Sequence, residues 1–292
     1  MTEVLVIGGK GQLGTDLLRA LAARGTEAVG LDLPDIDVGD AARTRAQLLE
    51  LRPAVVINTA AYHLVDLCED HAAEAFAINA EAPRQLAKVC RELDAVFMHF
   101  STDFVFGGAP CGRPWTEGDR PEPQSVYATS KLAGEHLVRE SHDKHFVIRT
   151  CGLYGSAGRR PQGGSFVEIM IRAAEAKKKL TVVNDQTVAP TSTFELAAAL
   201  LALIETRAYG LYHVTNSGEC TWFEFAREIF RLTGMTPDLR PVTSAEYGSK
   251  AKRPRYSILD NAKLVAAGVP ALGSWQQALA AYVARRGQEV RA

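Results

Sequence analysis

Short apolar runs alternate with segments of helical spacing along the first hundred residues. The run Val4-Leu-Val-Ile7 is typical of a strand buried on both faces. Apolar residues then recur at helical spacing from Thr15 to Arg24, and Gly25 fits the position that ends a helix. Further strands are predicted at 28–32, 54–58 and 96–101, with helices at 41–51 and 76–93. The alternation predicts an α/β fold with a Rossmann-type doubly wound parallel sheet.

The pattern loosens after about residue 100 and predicts a second unit. Loops rich in glycine are expected at 107–123 and 155–164, strands at 146–150, 180–183 and 211–214, and helices at 126–141, 193–205 and 223–232. Since no linker composition divides the chain, we expect a dinucleotide-binding domain over 1–150. Residues 151–292 are expected to form mainly a smaller α/β substrate lobe, with some segments returning to the first sheet.

Composition narrows the class of protein. The 292 residues carry 33 basic and 34 acidic side chains, so the net charge of −1 provides no pull toward nucleic acid or an anionic membrane. The five cysteines form no CxxC pair, and the seven histidines show no metal-ligand spacing. No apolar run is long enough to span a bilayer, and no secretory signal is evident. We therefore expect a cytoplasmic protein with free thiols, no metal, and neither nucleic acid nor membrane as a partner.

Three glycines follow the first predicted strand at a GxxGxxG spacing. Gly8 allows a tight turn, Gly11 allows the backbone to approach a pyrophosphate, and Gly14 allows the helix to pack closely on the strand. The helix that follows offers N–H groups and a positive dipole end to the phosphates. A purely structural glycine turn is the alternative interpretation.

Asp32 ends the second predicted strand, and no basic residue directly follows it. A carboxylate at this point can accept hydrogen bonds from the adenosine ribose hydroxyls and would repel a 2′-phosphate. The sequence therefore predicts that NADH is preferred and that NADPH is possible. A solvated loop carboxylate is the alternative interpretation of Asp32.

A tyrosine and a lysine lie one helical turn apart at the start of the helix predicted at 126–141. Tyr127 and Lys131 share one helix face, and a nearby ammonium is expected to lower the pKa of the phenol. A strand that ends in Ser101 and Thr102 brings hydroxyls to the same edge of the sheet. Together these groups predict proton delivery to an oxygen that receives a hydride. A chance pair on a helix surface is the alternative for Tyr127 and Lys131.

The motifs together resemble those of the extended short-chain dehydrogenase/reductases and, more narrowly, the dTDP-4-dehydrorhamnose reductase family. The matching pieces, over nearly the whole chain, are Gly8-x-x-Gly-x-x-Gly14, Asn58-Thr-Ala-Ala-Tyr62, Asn79-Ala-Glu-Ala-Pro83, Ser101-Thr-Asp-Phe-Val-Phe-Gly107, Tyr127-x-x-x-Lys-Leu-Ala-Gly-Glu135, Trp222-Phe-Glu-Phe-Ala226 and Arg253-Pro254-x-x-Ser257. The resemblance implies NAD(P)H-dependent reduction of the C4 ketone of a nucleotide-linked 6-deoxy sugar, in the synthesis of dTDP-L-rhamnose for cell-surface polysaccharide. A homodimer is possible.

The resemblance also implies roles for individual residues. The implied catalytic residues are Thr102, Tyr127 and Lys131, with Tyr127 as the acid. The implied cofactor-binding residues are Gly8, Gly11, Gln12, Leu13, Gly14, Asp32, Asp37, Val38, Ala60, Ala61, Tyr62, Tyr127 and Lys131. The implied substrate-binding residues are Thr102, Asp103 and Arg253, the last as a diphosphate ligand.

One position departs from the family pattern. Gly152 stands where the reductases usually have a tryptophan against the sugar, so either the sugar pocket is wider or another aromatic residue fills the gap. A 4,6-dehydratase is disfavoured, because Thr102-Asp103 is followed by Phe104 and not by glutamate. A nucleotide-sugar 4-epimerase stays open. So does a non-catalytic regulatory subunit resembling the β subunit of methionine adenosyltransferase.

Overall fold

A six-stranded parallel sheet forms the centre of the molecule. The computed structural model describes residues 3–110, 112–159 and 164–289. Its strands, in chain order, are β1 (Val4–Ile7), β2 (Ala28–Leu31), β3 (Val55–Asn58), β4 (Val96–Thr102), β5 (His145–Thr150), β6 (Leu153–Tyr154), β7 (Leu180–Val183), β8 (Thr187–Val188), β9 (Thr191–Ser192), β10 (Gly210–His213), β11 (Cys220–Thr221) and β12 (Leu239–Val242).

The order of the central sheet is β10-β5-β4-β3-β1-β2, and every neighbouring pair is parallel. The chain runs from β1 to β2 on one side and then crosses to β3 on the other side. The order therefore reverses at β1 and leaves a crevice beyond the carboxyl ends of the strands. This topology confirms the predicted doubly wound parallel sheet.

Helices cover both faces of the sheet. They are α1 (Gln12–Ala23), α2 (Ala41–Leu51), α3 (Val65–Cys68), α4 (Ala72–Phe76), α5 (Ala82–Leu93), α6 (Val126–Ser141), α7 (Phe166–Glu175), α8 (Thr193–Thr206), α9 (Trp222–Thr233), α10 (Ser244–Tyr247), α11 (Ala262–Ala266) and α12 (Trp275–Glu289). Helices α1 and α8 pack together on one apolar core, and α2, α5 and α6 pack on a second. The strands between the two cores are mainly apolar, as expected for a sheet buried on both faces, and their polar residues lie mostly toward the strand ends.

The helix predicted over 76–93 is wrong as a single element. Helix α4 ends at Phe76, a π-helical turn covers Ala77–Glu81, and α5 follows. Pro83 has no N–H to donate to the carbonyl of Asn79 four residues earlier, and its ring crowds that carbonyl. The wider π turn relieves the conflict.

After residue 150, helices α7, α9 and α12 build a third apolar core. Three small two-stranded sheets accompany it: β12 pairs with β7, β11 with β8 and β6 with β9. Strand β10 joins the central sheet beside β5. The boundary expected at residue 150 stays a prediction. Of the glycine-rich loop expected at 155–164, residues 160–163 lie outside the described part, as does Cys111; the other four cysteines are free. Within the described ranges no helix is long and apolar enough to cross a membrane.

Candidate active site

The glycine turn joins β1 to α1 at the switch point of the sheet. Gly8 has φ +81°, and a Cβ there would stand 2.4 Å from Thr59 Oγ1. A Cβ at Gly14 would stand 2.2 Å from the carbonyl oxygen of Gly8. Gly11 occupies the N-cap of α1 and, having no side chain, leaves the first N–H groups of the helix available to a phosphate.

Gln12 and Leu13, in the first turn of α1, have other partners. The side-chain oxygen of Gln12 accepts a hydrogen bond of 3.0 Å from the backbone N–H of Gly155, and so ties the glycine turn to a loop of the C-terminal part. Leu13 is 5% exposed and packs in the core beneath the turn. A ligand at this turn therefore meets mainly backbone from these two residues.

Asp32 follows β2 directly and lies beside the glycine turn. Its carboxylate accepts hydrogen bonds from the backbone N–H groups of Lys10 at 3.0 Å and Leu33 at 3.1 Å. Each carboxylate oxygen has a second lone pair, so the group can still accept bonds from a ribose. Two cations, which the sequence did not place near Asp32, lie by the same loop: the ammonium of Lys10 is 3.9 Å from Asp35, and Arg43 donates to the carbonyl of Pro34 at 3.3 Å.

The loop that follows contains Asp37 and Val38. The carboxylate of Asp37 accepts a hydrogen bond from the N–H of Gly39 at 2.9 Å. The backbone carbonyl of Asp37 accepts one from the hydroxyl of Thr44 at 2.7 Å. Val38 packs against the core that lies under α2 and α5. These contacts shape the loop between Asp32 and α2.

Asn79 links the loop after β3 to α6. Its amide accepts from the N–H of Tyr62 at 2.9 Å and donates to the Tyr62 carbonyl at 3.0 Å. It also donates to the hydroxyl of Ser130 at 3.0 Å, and that hydroxyl donates to the carbonyl of Tyr127. The segment Ala60-Ala61-Tyr62 is thereby fixed against the helix that carries Tyr127. Sequence reasoning missed this role, although Pro83 four residues beyond Asn79 was a usable signal.

Thr102, Tyr127 and Lys131 meet at the carboxyl edge of the sheet. Thr102 ends β4, while Tyr127 and Lys131 lie on the first two turns of α6, whose N-cap Ser125 accepts from the N–H of Ala128 at 3.2 Å. The Thr102 hydroxyl is close enough to Tyr127 for a hydrogen bond that acts on the pKa of the phenol. The structure therefore places Thr102 beside Tyr127, with Lys131 one turn further along the same helix.

The electrostatics of the phenol differ from the expectation. Burial raises the pKa of Tyr127 above its usual value and outweighs the hydrogen bond from Thr102, which lowers it. The expected net lowering of the pKa of this phenol is therefore wrong for the protein alone, because burial dominates the pKa. Lys131 is only 2% exposed, and burial lowers the pKa of its ammonium to about 8, while Glu135 acts in the opposite direction. Near neutral pH the phenol keeps its proton and the amine keeps its charge.

Asp103 lies behind the hydroxyls and is 2% exposed. It accepts a hydrogen bond of 3.1 Å from the hydroxyl of Thr102. Burial raises the pKa of its carboxyl, while the side chains of Ser257, Cys151 and Thr102 act to lower it. Asp103 thus lies against the hydroxyl of Thr102 and away from open solvent.

Arg253 extends from the C-terminal part toward α3. Its guanidinium donates to the two carboxylate oxygens of Asp66 at 3.1 and 3.0 Å and to the carbonyl of Ala251 at 3.1 Å. It also lines a cavity of about 710 Å³ together with Lys252 and Arg255. The other residues of the cavity wall are uncharged and include Gln124 and Gln186, so the three cations suit an anionic ligand.

The gap at Gly152 is filled by an aromatic residue. A Cβ at Gly152 would stand 3.1 Å from Cη2 of Trp222, so the indole covers this glycine. Trp222 is thus the aromatic residue beside Gly152, and whether the sugar pocket is wider stays a prediction. No group of three or more metal-ligating side chains occurs within 3–110, 112–159 and 164–289.

A glycine turn suited to phosphate lies at the switch point of a parallel sheet, and a hydroxyl, a phenol and an amine lie near the strand ends. This arrangement defines a dinucleotide-binding α/β protein of the reductase type. The chain belongs to the RmlD substrate-binding domain family, whose model matches residues 1–287. The predicted family resemblance is thereby confirmed.

Individual relatives are similar over almost their whole length. The chain is 42% identical to a dTDP-4-dehydrorhamnose reductase of Streptomyces griseus, over 94% of this chain and 91% of the relative. It is 35% identical to a dTDP-4-keto-6-deoxy-D-glucose reductase of Streptomyces niveus, over 94% of each chain. The crystal structure of dTDP-4-dehydrorhamnose reductase from Bacillus anthracis in complex with NADP is similar with a TM-score of 0.92, at 35% identity, over 98% of this chain and 100% of the other.

Proposed function

We propose that the protein is a nicotinamide-dependent reductase of the C4 ketone of a nucleotide-linked 6-deoxy sugar, with dTDP-4-dehydro-L-rhamnose as substrate and dTDP-L-rhamnose as product. The observation that carries the proposal is the meeting of Thr102, Tyr127 and Lys131 at the carboxyl edge of the sheet that also bears the glycine turn. The similarity to curated 4-keto sugar reductases supports the choice of ketone and nucleotide.

Tyr127 acts as the general acid. Because burial raises its pKa, the phenol is protonated at neutral pH, which is the form that can donate a proton to a ketone oxygen as it becomes an alkoxide. The hydroxyl of Thr102 donates a second hydrogen bond to the same oxygen and polarises the carbonyl. The nicotinamide cofactor, when bound, supplies the hydride to C4 of the sugar.

Lys131 supports both the phenol and the cofactor. Its charged ammonium stabilises the phenolate that remains after proton transfer, and it donates hydrogen bonds to the nicotinamide ribose. The backbone of the turn at Gly8, Gly11 and Gly14 holds the pyrophosphate, and Asp32 accepts from the adenosine ribose. The residues present thus fit a dinucleotide.

The substrate extends from the hydroxyl pair toward the cation-lined cavity. Arg253 binds the diphosphate through N–H groups that its bonds to Asp66 and Ala251 leave unused, since a guanidinium has five donors. Asp103 lies beneath the sugar; the Thr102 hydroxyl, which donates to Asp103 in the protein alone, turns its single proton to the ketone oxygen when the substrate is bound.

The test is NADH or NADPH oxidation by the purified protein with a panel of nucleotide-linked 4-keto sugars. Tyr127→Phe should lower kcat by at least about 100-fold, because general acid catalysis contributes about 10²–10⁴-fold. Cofactor affinity should be nearly kept in Tyr127→Phe, whereas Lys131→Met should reduce both activity and cofactor affinity. Undiminished turnover by Tyr127→Phe would contradict the mechanism.

Two further outcomes would replace the proposal. Interconversion of C4 epimers with a tightly held cofactor and no net oxidation would identify a 4-epimerase. Cofactor binding with no turnover of any sugar in the panel would favour a non-catalytic regulatory subunit.

The cofactor preference is proposed as NADH over NADPH, with NADPH accepted. The carboxylate of Asp32 stands where a 2′-phosphate would meet it, and the repulsion should cost about 1.4 kcal/mol or more, that is, tenfold in affinity. Comparison of kcat/KM for the two cofactors tests this. Asp32→Asn should reduce the difference in kcat/KM between NADH and NADPH. Arg43→Met should leave kcat/KM for NADH unchanged. If NADPH is preferred and Arg43→Met removes the preference, the phosphate binds beside α2 and the proposal on NADH fails.

A further inference from the structure

Helix α3 and the two residues that follow it are anchored to the C-terminal part of the chain. The carboxylate of Asp66 pairs with Arg253 at 3.1 and 3.0 Å, and it also accepts from the N–H of Ala251 at 2.9 Å. The carboxylate of Asp70 pairs with Lys250. Acidic side chains near both ends of this short segment therefore fix its position from that side.

The same segment lies beside the candidate active site. The thiol of Cys68 donates at 3.7 Å to the backbone carbonyl of Tyr62, in the loop after β3. Burial raises the pKa of the Tyr127 phenol, and Cys68 is near enough to raise that pKa further. Helices α3 and α6 contact each other directly. A side chain from this segment can therefore reach the start of the helix that carries Tyr127.

Glu69 makes that contact. Its Oε1 accepts a hydrogen bond of 2.9 Å from the backbone N–H of Val126, the first residue of α6 and the neighbour of Tyr127. This N–H is one of the donors at the start of a helix that have no partner within the helix. The N-cap Ser125 accepts from another of them, the N–H of Ala128. Two acceptors, one local and one from the segment after α3, therefore fix the first turn of α6.

The first turn of α6 sets where the phenol lies. Tyr127 is the second residue of the helix, and its ring centroid is 6.0 Å from that of Phe104, with the two rings perpendicular. The phenol is also within hydrogen-bond reach of Thr102. A shift of about 1 Å in a reacting group can cost about 100-fold in rate. Movement of this turn away from α3 would therefore separate the phenol from a ketone oxygen beside Thr102.

We propose that Glu69 is a positioning residue for Tyr127. Its hydrogen bond to the N–H of Val126 holds the first turn of α6 where the phenol reaches the ketone oxygen. Glu69 acts through the backbone of α6 and not on a ligand, and it contributes a correctly placed acceptor more than a charge. The inference rests on the proposed function and adds a residue on which proton transfer depends.

Steady-state reduction of dTDP-4-dehydro-L-rhamnose by NADH tests the inference with three variants. Glu69→Ala removes the acceptor, and Glu69→Asp keeps the charge on a side chain one methylene shorter. Both should lower kcat by about tenfold, because the phenol is displaced. KM for the sugar should stay within about twofold, because Asp66 still holds Arg253. Glu69→Gln loses the charge but keeps an oxygen acceptor, so it should retain at least about half of kcat.

A double-mutant cycle with Tyr127→Phe separates positioning from a general effect on the fold. If Glu69 acts through the phenol, Glu69→Ala should not lower the residual kcat of Tyr127→Phe any further, because the group that Glu69 positions is absent. An equal loss of kcat in both backgrounds would overturn the inference. So would a Glu69→Gln variant as slow as Glu69→Ala, because the charge alone would then matter.

Glu224→Ala is the matched control. Glu224 also accepts a backbone N–H at the start of a helix, that of Thr221 at 2.8 Å, but α9 carries none of the residues assigned to the proposed site. The two alanine variants should lower the midpoint of denaturant unfolding to a similar degree, whereas only Glu69→Ala should lower kcat. If Glu224→Ala slows turnover equally, loss of a helix cap explains the effect and the inference fails.

The same assays distinguish this inference from the proposed function. Turnover by Glu69→Ala and Glu69→Asp at the rate of an active wild type would overturn only the role of Glu69. A wild type that reduces no nucleotide-linked 4-keto sugar would overturn the proposed function, and this inference with it.

Discussion

The carbonyl oxygen of Asn79 lies against Gly134, so closely that a Cβ at Gly134 would stand only 2.2 Å from it. Pro83 cannot donate to this carbonyl, and the π-helical turn around Asn79 directs it toward α6 instead. Because α6 carries Tyr127 and Lys131, this contact sets how closely both catalytic candidates approach the cofactor loop after β3.

Gly134→Ala should therefore impair both stability and catalysis. Overpacking of this kind typically costs 1–3 kcal/mol, and the displacement of α6 should lower kcat by about tenfold or more. Denaturant unfolding and initial rates measure the two effects. Gly287→Ala is the matched control, since Gly287 is also helical and has nothing within 4 Å of an added Cβ. That change should leave kcat unaltered and raise stability slightly. Equal behaviour of the two variants would contradict the role of the contact.

A buried ion pair lies one turn beyond Lys131. Arg149 makes two hydrogen bonds to Glu135 at 2.8 and 2.7 Å, with 3% and 0% of the two side chains exposed. Arg149→Met leaves the buried carboxylate without its guanidinium and with the hydroxyl of Ser101 as its remaining hydrogen-bond donor, so the free energy of unfolding should fall by about 3 kcal/mol. The double variant Glu135→Leu/Arg149→Met should recover at least half of that loss in the same denaturant assay. A double variant as unstable as the single one would show that the pair is favourable in itself.

The pKa of Lys131 predicts an alkaline limit to activity. The ammonium is charged below about pH 8 and loses its proton above it, so kcat/KM should fall by up to tenfold per pH unit beyond that point. Because the folded pKa lies below the usual value of 10.5, the unfolded chain binds more protons between the two values. Deprotonation of Lys131 therefore favours the folded state, and the loss of activity should not accompany unfolding.

Lys131→Arg provides the control for this profile. A guanidinium stays charged throughout the range, so the variant should be less active but should lack the limb above pH 8. His99 does not contribute to the fall of kcat/KM above pH 8. Burial and the charge of Lys131 keep the pKa of His99 well below its usual value, so its ring stays neutral. A limb that persists in Lys131→Arg would belong to another group.

The sequence predicted the parts of this protein that depend on local pattern. Periodicity and backbone requirements at neighbouring positions predict the apolar strands, the glycine turn, the acid that follows β2 and the helix with Tyr127 and Lys131. The central sheet and the meeting of Thr102 with Tyr127 then follow, because parallel strands end at one edge.

Other features depend on contacts between distant segments. Three contacts join residues whose spacing in the chain carries no regular signal. They are the indole of Trp222 next to Gly152, the ion pair of Asp66 with Arg253 and the hydrogen bonds of Asn79 to Tyr62. The pKa of Tyr127 was misjudged for a related reason: the spacing to Lys131 is visible in the sequence, but the burial that dominates the pKa is not.

The bond between Asp66 and Arg253 offers a last prediction. Asp66 is half exposed, so loss of the pair should change stability by less than about 1 kcal/mol. Without the carboxylate, however, the guanidinium keeps only its bond to the carbonyl of Ala251 and is held less firmly toward a diphosphate. Asp66→Asn should therefore raise KM for the nucleotide sugar several-fold and leave kcat within about twofold, whereas Arg253→Met should raise KM by more than tenfold.

Asp70→Asn is the comparison that separates orientation of the guanidinium from simple anchoring of the segment. Asp70 pairs with Lys250, three residues before Arg253, and both side chains of this pair are half exposed. If Asp66 acts by orienting Arg253, Asp70→Asn should leave KM near the wild-type value. If both variants raise KM equally, the two ion pairs merely hold residues 250–253 against α3, because the loss of either anchor would then displace the cation to the same degree.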